Sequence, residues 1–120
     1  MKVKKIEGMY SIYQVKDIKE VNFTSSYVFV SKTKEEVSVV SLSSHMPKTS
    51  CKYDDNYVLF MIDELLDFSL VGVLDKISSL LANIEVSIFV VSTYNTDYFL
   101  VKNDRYKEVI NELVINGYEL

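Results

Sequence analysis

Cysteine, proline, glycine and histidine are scarce in this chain of 120 residues, and tryptophan is absent. It contains one cysteine, one proline, three glycines and one histidine. A single cysteine excludes an internal disulfide framework, so the packing of a core must hold the fold together. The hydrophobic fraction of 48% is sufficient for such a core at this length.

Basic residues are fewer than acidic residues. Lysine and arginine number 13 against 17 acidic residues, which gives a net charge of −4. The basic residues do not gather into a stripe, which argues against a nucleic-acid partner. No apolar run reaches the length of a membrane span, and the first residues lack the apolar segment of a signal peptide. We therefore expect a cytoplasmic protein that contacts neither nucleic acid nor membrane.

Few residues have the chemistry of a catalytic or metal site. His45 and Cys51 stand six positions apart in a polar segment, without a second thiol or an acidic ligand at metal spacing. Arg105, the only arginine, is predicted to lie on the exposed side of the last helix, away from any phosphate-binding loop. A hydrolytic enzyme would need a second site residue that the sequence does not offer. We expect no catalytic residue, no metal and no cofactor.

The first half of the chain predicts strands with little helix. Alternating and β-branched residues indicate strands, and Gly8 should separate the first two. The predicted elements are a short edge strand at Lys2–Ile6, a strand at Tyr10–Val15, an irregular turn at Asp17–Ser26, a hairpin of Tyr27–Lys32 and Val37–Leu42, and a connector at Ser43–Asn56 in which Asp54 and Asp55 form a turn.

The second half predicts two helices. Apolar residues recur at helical spacing over Val73–Asn83, and again after Asn103, which should cap the final helix before Asn116 and Gly117 end it. The run VSIFVV is typical of a buried strand. The predicted strands are Tyr57–Asp63, Val86–Val91 and Tyr98–Val101, the last two joined by the turn Tyr94–Asp97, with a final strand at Tyr118–Leu120.

Two stretches carry a resemblance to a known family. DFSLVGVL begins at Asp67, and VSIFVVSTYNTDYFLV begins at Val86. Together they closely resemble the small ACT-domain proteins, with the signature F-S-L-x-G-[IV]-L followed by I-S-[IV]-F and S-T-Y-x-T-D-[YF]-x-L-V. These proteins are similar to the regulatory ACT domains of aspartate kinases and to amino-acid sensor proteins. Glu85 departs from the pattern, because the family usually has glycine after this helix, and Asn83 is expected to take over the left-handed position.

The resemblance implies an α+β fold made of two fused ferredoxin-like (ACT, βαββαβ) units. Each unit would have an antiparallel sheet with helices on one face, and the first would have reduced helices. Residues 1–56 would form the N-terminal ACT-like half and residues 57–120 the C-terminal ACT domain. No linker marks the boundary near Asn56, so we expect the halves to share a core.

The resemblance also implies a ligand site in the loop that begins at Asp67. There the backbone would hold part of an amino acid, and Gly72 would allow a close approach. The loop residues are Asp67, Phe68, Ser69, Leu70, Val71, Gly72 and Val73. Taken alone, the pattern is equally consistent with simple capping of the helix by Asp67 or Ser69.

A polar cluster at the end of the VSIFVV strand would complete the site. Its residues are Ser92, Thr93, Tyr94, Asn95 and Asp97, accompanied by Thr96. A turn would explain Asn95 and Asp97 but not the number of hydroxyl groups around them. An amino-acid ammonium group needs an acidic or carbonyl acceptor, and Asp97 is the matching candidate.

These observations predict a non-catalytic regulatory protein that binds a free amino acid or a related small metabolite. Nine tyrosines and six phenylalanines leave aromatic surface for an interface, so we expect a two-fold homodimer. The main alternative is a protein–protein interaction module of the same fold without a ligand. The sequence names neither the ligand nor a protein target.

Overall fold

The computed structural model describes residues 1–50, 52–63 and 72–120. The strands are β1 (Val3–Val15), β2 (Phe29–Lys32), β3 (Val37–Leu42), β4 (Tyr53–Ile62), β5 (Phe89–Ser92) and β6 (Asp97–Lys102). The helices are α1 (Val73–Asn83) and α2 (Tyr106–Ile115), with 3₁₀ turns at Ile18–Glu20, Ser43–His45 and Asn103–Arg105. The structure thus has the mixed composition predicted, with an antiparallel sheet and two helices.

The chain divides into two compact units. Gly8–Tyr57 forms one, which we call the contiguous unit, and Met1–Glu7 with Val58–Leu120 forms the other, the composite unit. Strands β1 and β4 each contribute residues to both. The predicted halves, residues 1–56 and 57–120, differ from these units in the assignment of Met1–Glu7 and of Tyr57. A tandem pair of ferredoxin-like domains stays a prediction.

The composite unit packs both helices onto its strands. The strands run in the order β1, β4, β6, β5. Ile77 and Leu81 of α1 and Val109 and Leu113 of α2 are fully buried in one cluster with residues of β4 and β6. Within this cluster the rings of Phe60 and Phe99 stack with their centroids 5.0 Å apart. The helical stripes read from the sequence therefore do cover a sheet.

Helix α1 occupies the predicted residues and ends in a Schellman motif. The amide of Glu85 donates to the carbonyl of Ala82 at 2.9 Å, and the amide of Val86 donates to that of Leu81 at 2.9 Å. Glu85 itself takes the left-handed conformation, with φ 59°. The expectation that Asn83 would replace it is wrong, because Asn83 is still helical. Glu85 thus provides the left-handed residue that ends α1, a conformation that favours glycine.

Strand β5 begins at Phe89, later than the predicted Val86. The amide of Val86 donates the hydrogen bond that ends α1, so it is not available to a strand partner. Pairing with β6 is antiparallel, with Phe89 opposite Leu100 and Ser92 opposite Asp97. The predicted antiparallel pairing is confirmed, and β5 both starts and ends later than predicted. The expected burial of this strand is wrong, because β5 lies at an edge of the strand order and its Phe89 and Val90 are exposed. An apolar run by itself does not distinguish a central strand from an edge strand.

The contiguous unit contains a single long opening strand where two were expected. β1 continues through Gly8, which takes φ 107° within the strand. A Cβ atom there would lie 2.6 Å from Leu42 Cδ2. Gly8 thus permits a close contact with β3 and does not separate two strands. The strands run in the order β2, β3, β1, and Tyr13, Val15, Val21 and Val39 form their core.

Other boundaries also differ from the predictions, among them the start of β2, which is Phe29 and not Tyr27. β4 starts at Tyr53, so Asp54 and Asp55 lie in a strand and not in a turn. Tyr118–Leu120 supplies a single bridge, from Glu119 to Lys2, where a strand was expected. Asn103 begins a 3₁₀ turn, and α2 starts at Tyr106 after it. The predicted helix end is confirmed, because Gly117 follows α2 with φ 87°.

The two hairpins repeat each other at a constant offset of 60 residues. Phe29 pairs with Val40 in the first, and Phe89 pairs with Leu100 in the second. The turns also correspond: Thr33 N donates to Glu36 O at 2.9 Å, and Thr93 N donates to Thr96 O at 2.9 Å. A 3₁₀ turn follows each hairpin at the same offset. This correspondence supports a diverged duplication.

Candidate functional site

The predicted site divides between described residues and residues that lie outside the described ranges. Asp67, Phe68, Ser69, Leu70 and Val71 lie outside them, as does Cys51. Gly72 and Val73 are described, as are Ser92, Thr93, Tyr94, Asn95 and Asp97. All seven of these described site residues belong to the composite unit.

Gly72 forms the N-cap of α1 in a left-handed conformation, with φ 87°. Its carbonyl accepts the amide of Lys76 at 3.0 Å, which closes the first turn of the helix. Among the described residues, its chain neighbour excepted, no atom lies within 4 Å of the position that a Cβ would occupy. A glycine cap offers no side-chain acceptor to the first amides of the helix, and such amides attract anions. Gly72 therefore leaves the first amides of α1 without a side-chain cap of its own.

A cavity of about 320 Å³ lies against this helix start, a size typical of small-molecule sites. The described residues that line it are Met1, Gly72, Val73, Lys76, Asn116, Gly117 and Tyr118. The cavity therefore joins the beginning of α1 to the end of α2. Lys76 adds a positive charge beside the helix amides, which favours an anionic group. Lys76 and the residues after α2 were not predicted as site residues. Lys76 falls on the polar face of the α1 pattern, and Asn116 and Tyr118 are too distant in sequence from Gly72 to share a pattern with it.

Arg105 lies at the opposite end of α1. Its Nη2 and Nη1 atoms donate to the carbonyls of Ile84 at 2.8 Å and of Glu85 at 3.2 Å. The same guanidinium forms an ion pair with Glu108 at 2.7 Å, and this pairing raises the pKa of Arg105. The predicted position on the exposed face of the last helix is wrong, since Arg105 ends the preceding 3₁₀ turn. Arg105 caps a helix and is not part of the cavity.

The hydroxyl groups of the β5–β6 turn are largely used by the protein itself. Thr93 Oγ1 donates to the carbonyl of Thr96 at 2.8 Å. Thr96 Oγ1 donates to the carbonyl of Ile62 at 2.7 Å in a buried hydrogen bond. The second bond attaches the turn to the end of β4. These two hydroxyls therefore have structural partners, which explains part of the polar cluster without a ligand.

Asp97 begins β6 and is half-buried opposite the exposed Ser92. Tyr94 is 82% exposed, and Asn95 is also exposed. None of these hairpin residues is among the described residues that line the cavity at Gly72. That one ligand contacts both the helix start and Asp97 stays a prediction.

Asp63, which the sequence pattern indicated only as the end of a strand, adds a carboxylate to the composite unit. Its Oδ2 lies 3.7 Å from Lys2 Nζ, and its amide donates to the Lys2 carbonyl at 2.9 Å. Its neighbour Ile62 accepts the hydrogen bond from the β5–β6 turn. The end of β4 thus brings Asp63 and the hairpin turn to one part of the composite unit.

The described ranges contain no group of three or more His, Cys, Asp or Glu side chains placed to hold a metal ion. His45 lies in a 3₁₀ turn of the contiguous unit, where its buried Nδ1 atom has no hydrogen-bond partner. As for membranes, none of the helices in the described part of the chain is both long enough and apolar enough to span one.

Known structures share the fold. The chain superimposes with a TM-score of 0.88 on an Agobacterium tumefaciens protein that is 24% identical, covering 99% of this chain and 90% of the other. A Vibrio cholerae protein of unknown function gives 0.73 at 15% identity, covering 92% and 85%. An aspartate kinase from Clostridium acetobutylicum, an allosteric enzyme, gives 0.62 at 11% identity over 92% of this chain and 33% of the enzyme.

The sequence comparison is more specific. No curated protein matches the sequence significantly. Residues 52–114, more than half of the chain, match the ACT domain family. This range includes both helices and the β5–β6 hairpin, and the cavity at Gly72 opens between elements of the same unit. The resemblance read from DFSLVGVL and STYNTD is confirmed, and the chain belongs to the ACT domain family.

Proposed function

We propose that this protein is a non-catalytic regulatory module that binds a free amino acid in the composite unit. The observation that supports it best is the cavity at the start of α1. Gly72 exposes the backbone, the first helix amides lack a side-chain cap from Gly72, and Lys76 supplies a positive charge. Family membership supports an amino acid as the ligand, because ACT domains are typically regulatory domains that bind amino acids.

The ligand carboxylate is proposed to bind at Gly72 and Val73, beside Lys76. Its ammonium group needs an acidic partner, and Asp97 fills that role in the proposal. Asp67, Phe68, Ser69, Leu70 and Val71 are proposed to belong to the same ligand site. Thr93 and Thr96 keep their structural hydrogen bonds and position the hairpin turn.

A thermal-shift screen of the common amino acids tests the proposal. A ligand that binds only the folded state raises the melting temperature in proportion to its affinity and concentration. Calorimetry with the best ligand should then show that Asp97→Asn weakens binding about a hundredfold, or about 2–3 kcal/mol, because a buried ammonium loses its charged partner. Asp75→Asn, on the exposed side of α1, is the matched control and should leave the affinity unchanged.

Two results would contradict the proposal. Equal affinity of the wild type and Asp97→Asn would remove Asp97 from the site. The absence of any shift in melting temperature at millimolar concentrations of every amino acid would reject amino-acid binding altogether.

A second candidate function, a protein–protein interaction module, has its own observation. β5 lies at one edge of the strand order of the composite unit, and its Phe89 and Val90 are 38% and 37% exposed. An apolar edge strand is a template for pairing with another strand. We propose that β5 pairs with β5 of a second copy in a two-fold homodimer. Light scattering should give a dimer mass for the wild type and a monomer mass for Val90→Lys, whereas a monomeric wild type would refute the proposal.

A further inference from the structure

A second cavity lies in the contiguous unit, and neither the sequence analysis nor the proposed function uses it. Its volume is about 380 Å³, within the range of small-molecule sites. The residues that line it are Gln14, Val15, Lys16, Glu20, Thr49, Ser50 and Lys52. The three charged residues among them, Lys16, Glu20 and Lys52, are exposed and can be reached from solvent.

The second cavity has its own set of lining residues. It is lined by residues at and after the end of β1 and by residues that follow the 3₁₀ turn Ser43–His45. At the 60-residue offset of the hairpins, Lys16 corresponds to Lys76 of the first cavity, whereas the other described lining residues do not correspond. The second cavity is therefore defined by its own residues and not by the repeat.

Hydrogen bonds hold the walls of the second cavity in place. Glu20 Oε2 accepts the amides of Lys16 and Asp17, each at 3.0 Å, in a capping box. Ser50 Oγ donates to the carbonyl of Gln14 at 3.1 Å, and Gln14 N donates to the carbonyl of Lys52 at 3.0 Å. The Glu20 carboxylate is thus oriented before any ligand arrives, which lowers the entropic cost of binding.

The charges around the cavity indicate what it would bind. Lys16 and Lys52 contribute two positive charges and Glu20 contributes one negative charge, in a protein whose net charge is −4. A ligand that pairs with all three groups needs two carboxylates and one ammonium. Val15, which is 9% exposed, offers an apolar contact for the carbon chain between them.

We propose that this cavity is a second ligand site, distinct from the one at Gly72, and that it binds an acidic amino acid. Lys16 and Lys52 bind the two carboxylates, and Glu20 accepts the ammonium. The site lies wholly within the contiguous unit, so it does not depend on the amino-acid site proposed in the composite unit.

Nuclear magnetic resonance and calorimetry on the full chain with L-glutamate test this assignment. Glutamate should shift the amide resonances of Val15, Thr49 and Ser50. Lys16→Met and Lys52→Met should each weaken glutamate binding about tenfold or more, because each removes one charged partner. Lys34→Met, at the exposed turn between β2 and β3, is the matched control and should have no effect.

Glutarate, which lacks the ammonium group, separates the role of Glu20 from that of the lysines. Wild-type protein should prefer glutamate to glutarate, and Glu20→Gln should abolish this preference while its amide oxygen keeps the capping box intact. The two lysine variants should weaken both ligands.

Asp97→Asn separates this inference from the proposed function. It should leave glutamate binding at the second site unchanged, because Asp97 belongs to the composite unit. Loss of glutamate binding in Asp97→Asn, with normal binding in both lysine variants, would overturn the second site and leave the first. No shift at Val15, Thr49 and Ser50 with glutamate at about 10 mM would also overturn it.

Discussion

Arg105 donates a hydrogen bond to the carbonyl oxygen of Ile84 at 2.8 Å and thereby caps the end of α1 from the start of α2. A positive charge at the carboxyl end of a helix also interacts favourably with the helix dipole. The same guanidinium bonds Glu108 through two nitrogen atoms, at 3.0 and 2.7 Å. One side chain therefore connects both helices of the composite unit.

The ion pair between Arg105 and Glu108 should make the free energy of unfolding depend on pH. The hydrogen bond from Arg105 holds the pKa of the Glu108 carboxyl below its usual value of 4.5. A lowered pKa in the folded state contributes stability above pH 4.5 and loses it as the pH falls through the lowered value. Urea unfolding should show Glu108→Gln less stable than the wild type at pH 7, with a smaller difference near pH 3. A difference that is independent of pH would contradict this.

Replacing Glu85 by glycine should stabilise the protein by about 1 kcal/mol, because φ 59° is unfavourable for a side chain with a Cβ. Chemical denaturation measures the change. Asn83→Gly is the matched control, and it should lower stability by about 0.5–1 kcal/mol because Asn83 is helical. If Asn83→Gly raised the stability and Glu85→Gly lowered it, the left-handed residue would be Asn83 and not Glu85.

Thr96→Val should destabilise the protein by about 1–3 kcal/mol, because the Ile62 carbonyl loses its buried hydroxyl donor. Thr96→Ser keeps the hydroxyl and should cost less. Equal stability of the two variants in urea would show that the hydrogen bond between the hairpin turn and β4 contributes little.

Tyr57 should ionise well above the usual pKa of a tyrosine phenol, 10.0. Partial burial and the hydrogen bond to Asp54 at 2.8 Å raise its pKa to about 12. Spectrophotometric titration should show that Tyr57→Phe removes one late-titrating phenol and that Asp54→Asn lowers the pKa of Tyr57. Because the raised pKa favours the folded state below pH 10, this contribution should be lost as the pH rises toward 12. A Tyr57 that titrates near pH 10 would contradict the partial burial and the hydrogen bond to Asp54 as causes of a raised pKa.

Local patterns predicted the elements well, and long-range contacts account for most of the errors. The stripe from Val73 and the β-branched run near Phe89 report local periodicity, so α1 and the hairpin were found. Gly8 was misread because its role depends on Leu42, a residue on another strand. Arg105 was misplaced for a similar reason, since its partners include Ile84, 21 residues earlier.

The candidate site shows the same limit. The sequence singled out Gly72, whose left-handed backbone and open surroundings the structure describes. It did not suggest that Asn116 and Tyr118 share a cavity with Gly72, because only the packing of the two helices brings them together. The hydroxyl of Thr93 was predicted to contact a ligand, and Thr96 was counted only as part of the polar cluster; their hydrogen bonds within the turn and to Ile62 could not be inferred from local sequence.

The assignment of Met1–Glu7 to the composite unit has a consequence for the order of folding. Val3 is fully buried in the core that Val58–Leu120 completes, yet it is synthesised long before that segment. At about 5–20 residues per second, Met1–Glu7 waits several seconds on the ribosome for its partners. Gly8–Tyr57 is continuous in sequence and has no such delay. The growing chain is therefore expected to form the contiguous unit first and to keep Val3 without its core partners until α2 has emerged.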